Sequence, residues 1–221
     1  MSVDIRVVAD PAEEAAKLLA DAARAGASIA LSGGNTPVPA YRRAAELQPD
    51  WSGVELFFAD ERCVPPEDER SNFRLVRESL GDVGAALHRM EGELPPEEAA
   101  RRYDEVVRGR TLDLVLLGIG ADGHTASLYP DAPTLKERER AAVAAEPGME
   151  PYVPRVTLTL PVLSAARQAV FLVTGAEKAA AAARAFASPP SPETPASLVR
   201  ASETIALLDE AAASDLQSAA I

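Results

Sequence analysis

The 221-residue chain has two histidines, and one of them, His124, stands two residues after Asp122 in Asp113-Leu-Val-Leu-Leu-Gly-Ile-Gly-Ala-Asp-Gly-His-Thr-Ala-Ser-Leu-Tyr-Pro130. An imidazole titrates near neutral pH, and an adjacent carboxylate can set which ring nitrogen holds the proton, so this pair has the composition of a general base and its orienter. Leu114 to Leu117 predict a strand buried on both faces, after which Gly118, Gly120 and Gly123 let the backbone turn. His124 is then presented at the carboxyl end of a strand, the edge where open parallel α/β sheets bind ligands. The second histidine, in Ala85-Ala-Leu-His-Arg89, has no such neighbours and reads as a partly exposed strand or loop position.

Other residue groups fit the binding of an anion beside that base. Ser32-Gly-Gly-Asn-Thr-Pro37 lies between a predicted strand and a predicted helix, so the amides around Gly33, Gly34 and Thr36 could cradle a phosphate. A plain strand-to-helix turn with Thr36 as cap explains the same residues. The segment lacks the Gly-Lys-Ser/Thr ending of a P-loop and is no dinucleotide fingerprint. In Asp60-Glu-Arg-Cys-Val-Pro65, Arg62 could meet a phosphate or a sugar hydroxyl and Asp60 could orient a polar group, or the triplet is a solvated charged loop. Ser71-Asn-Phe-Arg74 opens a helix, with Asn72 and Arg74 as candidates to face the same site. Arg155 starts a strand, and Lys178 falls in the first turn of a helix, where it opposes the macrodipole unless an anion is bound there. Each is equally explained as a surface cation. Cys63, the single cysteine, excludes an internal disulfide and a cysteine metal site and reads as a small buried hydrophobe.

These groups need a frame, and the chain alternates strand-like and helix-like segments from end to end. The predicted strands are Ile5–Ala9, Ser28–Leu31, Val54–Phe58, Leu114–Leu117, Ala141–Ala145, Arg155–Leu160, Ala169–Val173 and Thr204–Leu208. The predicted helices are Pro11–Ala25 with Asp10 as N-cap, Val38–Leu47, Asn72–Leu80, Pro95–Arg108, Val162–Arg167, Glu177–Ala187 and Glu210–Leu216. Ala59–Arg70 and the four-proline stretch Ser188–Pro195 are predicted loops. The pattern implies one α/β domain over residues 1–221 with a mostly parallel sheet. With 47% hydrophobic and 25% charged residues the composition is that of a soluble globular protein. No apolar run has membrane-span length and no signal-peptide core precedes the first strand, so a cytoplasmic location and no membrane partner are expected. A net charge of −12 argues against nucleic acid. No protein partner is assigned.

Taken together, Ser32-Gly-Gly-Asn-Thr-Pro37, Asp60-Glu-Arg-Cys-Val-Pro65, Ser71-Asn-Phe-Arg74, Gly118 to Pro130, Arg155-Val-Thr-Leu-Thr159 and Gly175-Ala-Glu-Lys-Ala179 closely resemble the 6-phosphogluconolactonase family, in order and over nearly the whole chain. The resemblance implies a three-layer fold of modified Rossmann type, like that of glucosamine-6-phosphate deaminase. It also implies hydrolysis of 6-phosphoglucono-1,5-lactone in the oxidative pentose phosphate pathway, without metal or organic cofactor. Asp122 and His124 would be catalytic; Gly33, Gly34, Thr36, Asp60, Arg62, Asn72, Arg74, Arg155 and Lys178 would hold the sugar phosphate. The related deaminase shares the glycine loop, the acidic loop and Asp-Gly-His, but its pattern continues Ile-Ala-Phe-Asn-Glu-Pro, and Tyr129 stands here at the position of that glutamate. A non-catalytic sugar-phosphate sensor is the alternative outside the enzymes, and the start of the first strand near Met1 is expected to leave no room for an N-terminal DNA-binding module. Asn35, Phe73, Tyr129 and Leu207 depart from the commonest lactonase residues without removing a proposed catalytic group.

Overall fold

The computed structural model describes residues 2–216. In chain order the elements are β1 (Asp4–Val7), α1 (Pro11–Ala22), β2 (Ser28–Leu31), α2 (Val38–Leu47), β3 (Glu55–Phe58), β4 (Asp60–Arg62), α3 (Asn72–Leu80), β5 (Ala86–Leu87), α4 (Pro96–Val107), β6 (Leu114–Leu117), β7 (Ala142–Ala145), β8 (Arg155–Leu158), α5 (Leu160–Ala165), β9 (Gln168–Val173), α6 (Ala179–Ala182) and β10 (Glu203–Leu208). Seven strands form a wholly parallel sheet in the order β1-β10-β9-β6-β2-β3-β5. The continuous apolar runs fill its centre: β2 and β6 are buried at every residue, as a sheet covered on both faces requires.

β2 pairs with β6 through Ile29↔Leu114 and Ala30↔Val115. After β2 the chain proceeds to β3 on one side, and after β6 it proceeds to β9 and β10 on the other. This reversal opens a crevice between the loops that follow β2 and β6, the place where such sheets hold ligands. Those loops are Ser32–Pro37 and Gly118–Pro130.

Helices flank the sheet. α1 packs against α2, β9 and β10, α2 packs against α3, and α4 packs against β7 and β8. Asp10 caps α1 by accepting from the Glu13 N–H at 3.0 Å, as expected. No helix among the described residues is long and apolar enough to cross a membrane.

Several expectations change. β4 lies inside the segment predicted as a loop and joins β8 and β7 in a separate antiparallel sheet, order β4-β8-β7. Three charged residues carry no strand pattern, and it is pairing with β8 that makes Asp60–Arg62 extended. The stretch Ala85–Arg89, read as strand or loop, contains β5, two exposed residues paired to β3. Thr36 does not cap α2: Pro37 occupies the cap and no side-chain bond is made. The predicted helix Glu177–Ala187 divides into a 3-10 turn (Ala176–Lys178), α6 and a π turn (Ala183–Ala187). Lys178 therefore precedes a four-residue helix, too short for the dipole argument to carry weight. Glu210–Leu216 forms turns and not a helix.

Candidate active site

The carboxyl ends of β2, β4, β6 and β9 surround a cavity of about 470 Å³. On its β6 side the backbone closes tightly around the histidine. Gly120 N–H donates to the His124 carbonyl and Gly123 N–H to the Gly120 carbonyl, both at 2.9 Å, while Thr125 Oγ1 donates to the Gly118 carbonyl at 2.8 Å. Gly123 has φ +97°, a conformation that disfavours a side chain. Gly120 is needed for a different reason: a Cβ there would stand 2.0 Å from His124 Nδ1 and 2.5 Å from Asp122 Oδ1.

Asp122 Oδ1 lies 2.6 Å from His124 Nδ1 and also accepts the His124 backbone N–H at 3.1 Å. The bond to His124 holds the Asp122 carboxyl down at about 2, against the opposing effect of partial burial. An ionised carboxylate only accepts, so Nδ1 carries the proton of the neutral ring and Nε2 carries the lone pair. The His124 side chain is 15% exposed and lines the cavity. Tyr129 supports the ring from one side, with centroids 5.1 Å apart.

Gly33, Gly34 and Thr36 line the β2 side of the cavity, as the sequence predicts, with Gly34 at φ +87°. Asp60 and Arg62 enter from β4, Arg155 from β8 and Lys178 from the turn after β9. Arg62 and Arg155 are register partners across β4 and β8, so both side chains leave the same face of the small sheet, and both line the cavity. Each has a buried Nε without a partner. Arg62 Nη1 donates to the Arg70 carbonyl, and Arg155 Nη2 donates to the Met149 and Pro151 carbonyls. Among the described residues no ion pair uses Arg62, Arg155 or Lys178. In a chain with twelve excess negative charges, these three cations share the cavity with two carboxylates, Asp60 and Asp122. The carboxylates are bonded to Asn72, Ser127 and His124 and not to the cations, and cations free of ion pairs suit an anion.

Arg74 is not part of this group. It pairs with Glu78 at 2.8 Å and donates to the Glu67 carbonyl, because α3 turns it away from the cavity. Asn72, on the same helix, does reach the cavity wall. Its Nδ2 donates to the Asp60 carbonyl at 3.0 Å and Oδ1 at 3.1 Å, and its own Oδ1 is pressed against Gly33, where a Cβ would lie 1.8 Å away.

Two residues without a sequence-assigned role hold these groups in place. Ser127, fully buried, donates to Asp60 Oδ2 at 2.7 Å and so ties the β6 loop to β4. Glu61 accepts from the backbone N–H groups of Arg62, Asn72 and Phe73 at 2.7 Å each and from Ser71 Oγ at 3.0 Å. Burial raises its carboxyl above the ordinary range, with those four donors acting in the opposite direction. Both stand inside the motifs singled out in the sequence, Ser127 in Gly118–Pro130 and Glu61 in Asp60–Pro65, but nothing in residue type or spacing marks either as a holder of other groups. Cys63, half-buried, has its thiol pushed up to about 11 by burial, consistent with an inert small side chain.

Fold and site together define a switch-point α/β protein with an anion-receptive cavity and an oriented histidine. Residues 4–207 match the family described as glucosamine-6-phosphate isomerases/6-phosphogluconolactonase, and the chain belongs to that family. It is 37% identical over 212 residues to a Synechocystis sp. protein named 6-phosphogluconolactonase, covering 89% of this chain and 87% of that protein. The solved 6-phosphogluconolactonase of Thermotoga maritima superposes with TM-score 0.83 at 28% identity, over 94% of this chain and 99% of that one. A monomeric glucosamine-6-phosphate deaminase superposes with TM-score 0.86 at 21% identity, over 97% and 99% of the two chains, and shows the shared fold.

Proposed function

We propose that this chain hydrolyses 6-phosphoglucono-1,5-lactone to 6-phosphogluconate, acting as one α/β domain over residues 1–221. The observation that carries the proposal is the 2.6 Å contact of Asp122 with His124 Nδ1, which leaves Nε2 with its lone pair at the cavity. His124 Nε2 takes a proton from water as the oxygen attacks C1. The tetrahedral intermediate then collapses with cleavage of the bond between C1 and the ring oxygen, and the proton passes from His124 to that oxygen. Asp122 holds the ring and its tautomer. The phosphate lies away from the reacting carbon, held by the loop of Gly33, Gly34 and Thr36 and by the charges of Arg155, Lys178 and Arg62, with Asp60 and Asn72 facing the sugar side. This chemistry calls on no metal or organic cofactor. The substrate is the partner, in the cytoplasm, with no role for nucleic acid or membrane.

A positioned base contributes about 10²- to 10⁴-fold in rate. His124→Ala is therefore expected to lower kcat by that factor with KM little changed, measured on purified lactone after subtraction of uncatalysed hydrolysis. A near-normal kcat would remove the assignment. Deaminase chemistry is disfavoured by Tyr129, a phenol where the related pattern carries a carboxylate. Ammonia release from glucosamine 6-phosphate tests that alternative, and binding of the lactone without turnover would favour a sensor.

A further inference from the structure

The four-proline segment after the π turn has no assigned part in the chemistry, yet it grips the histidine turn at several points. Ala196 N–H donates to the Gly123 carbonyl at 3.0 Å, immediately before His124, and Asp131 N–H donates to the Pro192 carbonyl at 3.1 Å at the far end of the same loop. Gly123 is closed in sterically as well: a Cβ on it would stand 2.9 Å from Thr194 Cγ2 and 3.1 Å from Thr194 Cα. Thr194 is buried. Arg184 bridges the two segments, its Nη2 donating to the Ala121 carbonyl at 3.3 Å and its Nε to Thr194 Oγ1 at 3.4 Å. The grip is itself stapled by Ser197 Oγ, fully buried, which accepts from Ser191 N–H at 2.8 Å and donates to the Ser191 carbonyl at 3.1 Å.

We propose that Ser188–Leu198, together with Arg184, is a clasp whose task is to position the His124 turn, with Arg184 and Ser197 as positioning residues. The inference rests on His124 as the base. Pro189, Pro190, Pro192 and Pro195 restrict the segment's backbone and so reduce its freedom to drift. The carbonyls of Ala121 and Gly123 bracket Asp122, so the clasp sets the peptide planes from which both the carboxylate and the imidazole project. Among the described residues no side-chain or loop hydrogen bond joins the clasp to the glycine loop after β2, to Arg155 or to Lys178, although Arg184 and Lys178 share the stretch 176–187. It therefore acts on the chemical step and leaves the phosphate end alone. Misplacement of a catalytic group by about 1 Å costs on the order of 10²-fold in rate.

The test uses Arg184→Ala, an exposed position, and Ser197→Ala, which opens the staple at a distance from the cavity. Both are expected to lower kcat about 5- to 50-fold with KM within about 2-fold. In a His124→Ala background the same changes should reduce the residual rate less than about 2-fold, because a clasp that works through the imidazole has nothing left to position. Arg184→Lys should recover part of the rate, since one ammonium can satisfy one of the two acceptors. Unchanged kcat in both single variants, a change confined to KM, or equal losses with and without His124 would each overturn the inference. Failure of the base assignment is separately visible, as near-normal kcat for His124→Ala alone.

Discussion

Asp122 and His124 form the smallest unit that can do the proposed chemistry, and their order of charge matters. Asp122 has its carboxyl depressed to about 2 chiefly by the bond to His124. A group depressed in the folded state stabilises it above the unfolded value of about 3.9 and loses that contribution as pH falls through the folded value. The contribution of this bond to stability is thus full above about pH 4 and fades from about 4 to 2, while in the folded protein Asp122 stays ionised until the pH approaches about 2. Asp122→Asn removes the charge while keeping the shape. It should lower kcat about 10- to 10³-fold, less than the roughly 10⁴-fold that the same change costs a serine-protease triad, because the Asp122 side chain is 47% exposed and water competes for the ring. KM for the lactone should be nearly unchanged, and steady-state kinetics at pH 7 would check both.

At the scale of elements, α3 is the part whose placement matters most to the cavity wall. Its N-terminus is held by Ser71, whose Oγ accepts from the Arg74 N–H at 3.2 Å, and by the buried Glu61 carboxylate. Glu61→Gln would put an NH₂ against backbone donors. We expect it to cost about 1–3 kcal/mol in urea denaturation and to raise KM through the displaced Asn72. The pH dependence has the opposite sign to that of Asp122. Because burial raises the Glu61 carboxyl in the folded state, its ionisation erodes stability as pH climbs from about 4.3 through the raised value. The variant should therefore show a shallower decline of the urea midpoint over that interval than the native chain. That α3 begins at Ser71-Asn72 is legible from local capping chemistry; that a carboxylate eleven residues earlier reinforces the cap is not, because β4 must first pair with β8.

For the whole molecule, the decisive join is between the seven-stranded sheet and the small antiparallel one. α4, which packs on β7 and β8, sends Tyr103 to β3, where its Oη accepts from the Phe58 N–H at 2.8 Å and donates to the Phe58 carbonyl at 3.2 Å. The chain leaves Phe58 directly for Ala59 and β4, so this clamp stands at the point where one sheet gives way to the other. Tyr103→Phe leaves two buried backbone groups unpaired, for about 1–3 kcal/mol. At roughly 2–4 °C per kcal/mol for a chain of this size, a Tm loss of about 2–12 °C is expected by calorimetry, with kcat at 25 °C unchanged. The global fold also marks its own limit as a guide to chemistry, since the deaminase superposes as well as the lactonase does. In the proposed reading the two are told apart by a single residue, Tyr129, and not by a feature of the fold.

The sequence by itself determined the alternation of elements, the buried strand before His124, the glycine-marked turns and the motif set that resembles the lactonases. These are local properties, written in periodicity and in residue types a few positions apart. Tertiary structure alone decided which charged residues converge. Arg62 and Arg155, 93 positions apart by number, become neighbours through strand register, whereas Arg74, two residues from Asn72, is turned away by the helix that both share. It also decided why Gly33 and Gly120 are glycines, since the space a Cβ would fill is taken by Asn72 and by His124 with Asp122. Strand order and register are set by burial summed over the whole sheet, and no short window of sequence contains that sum.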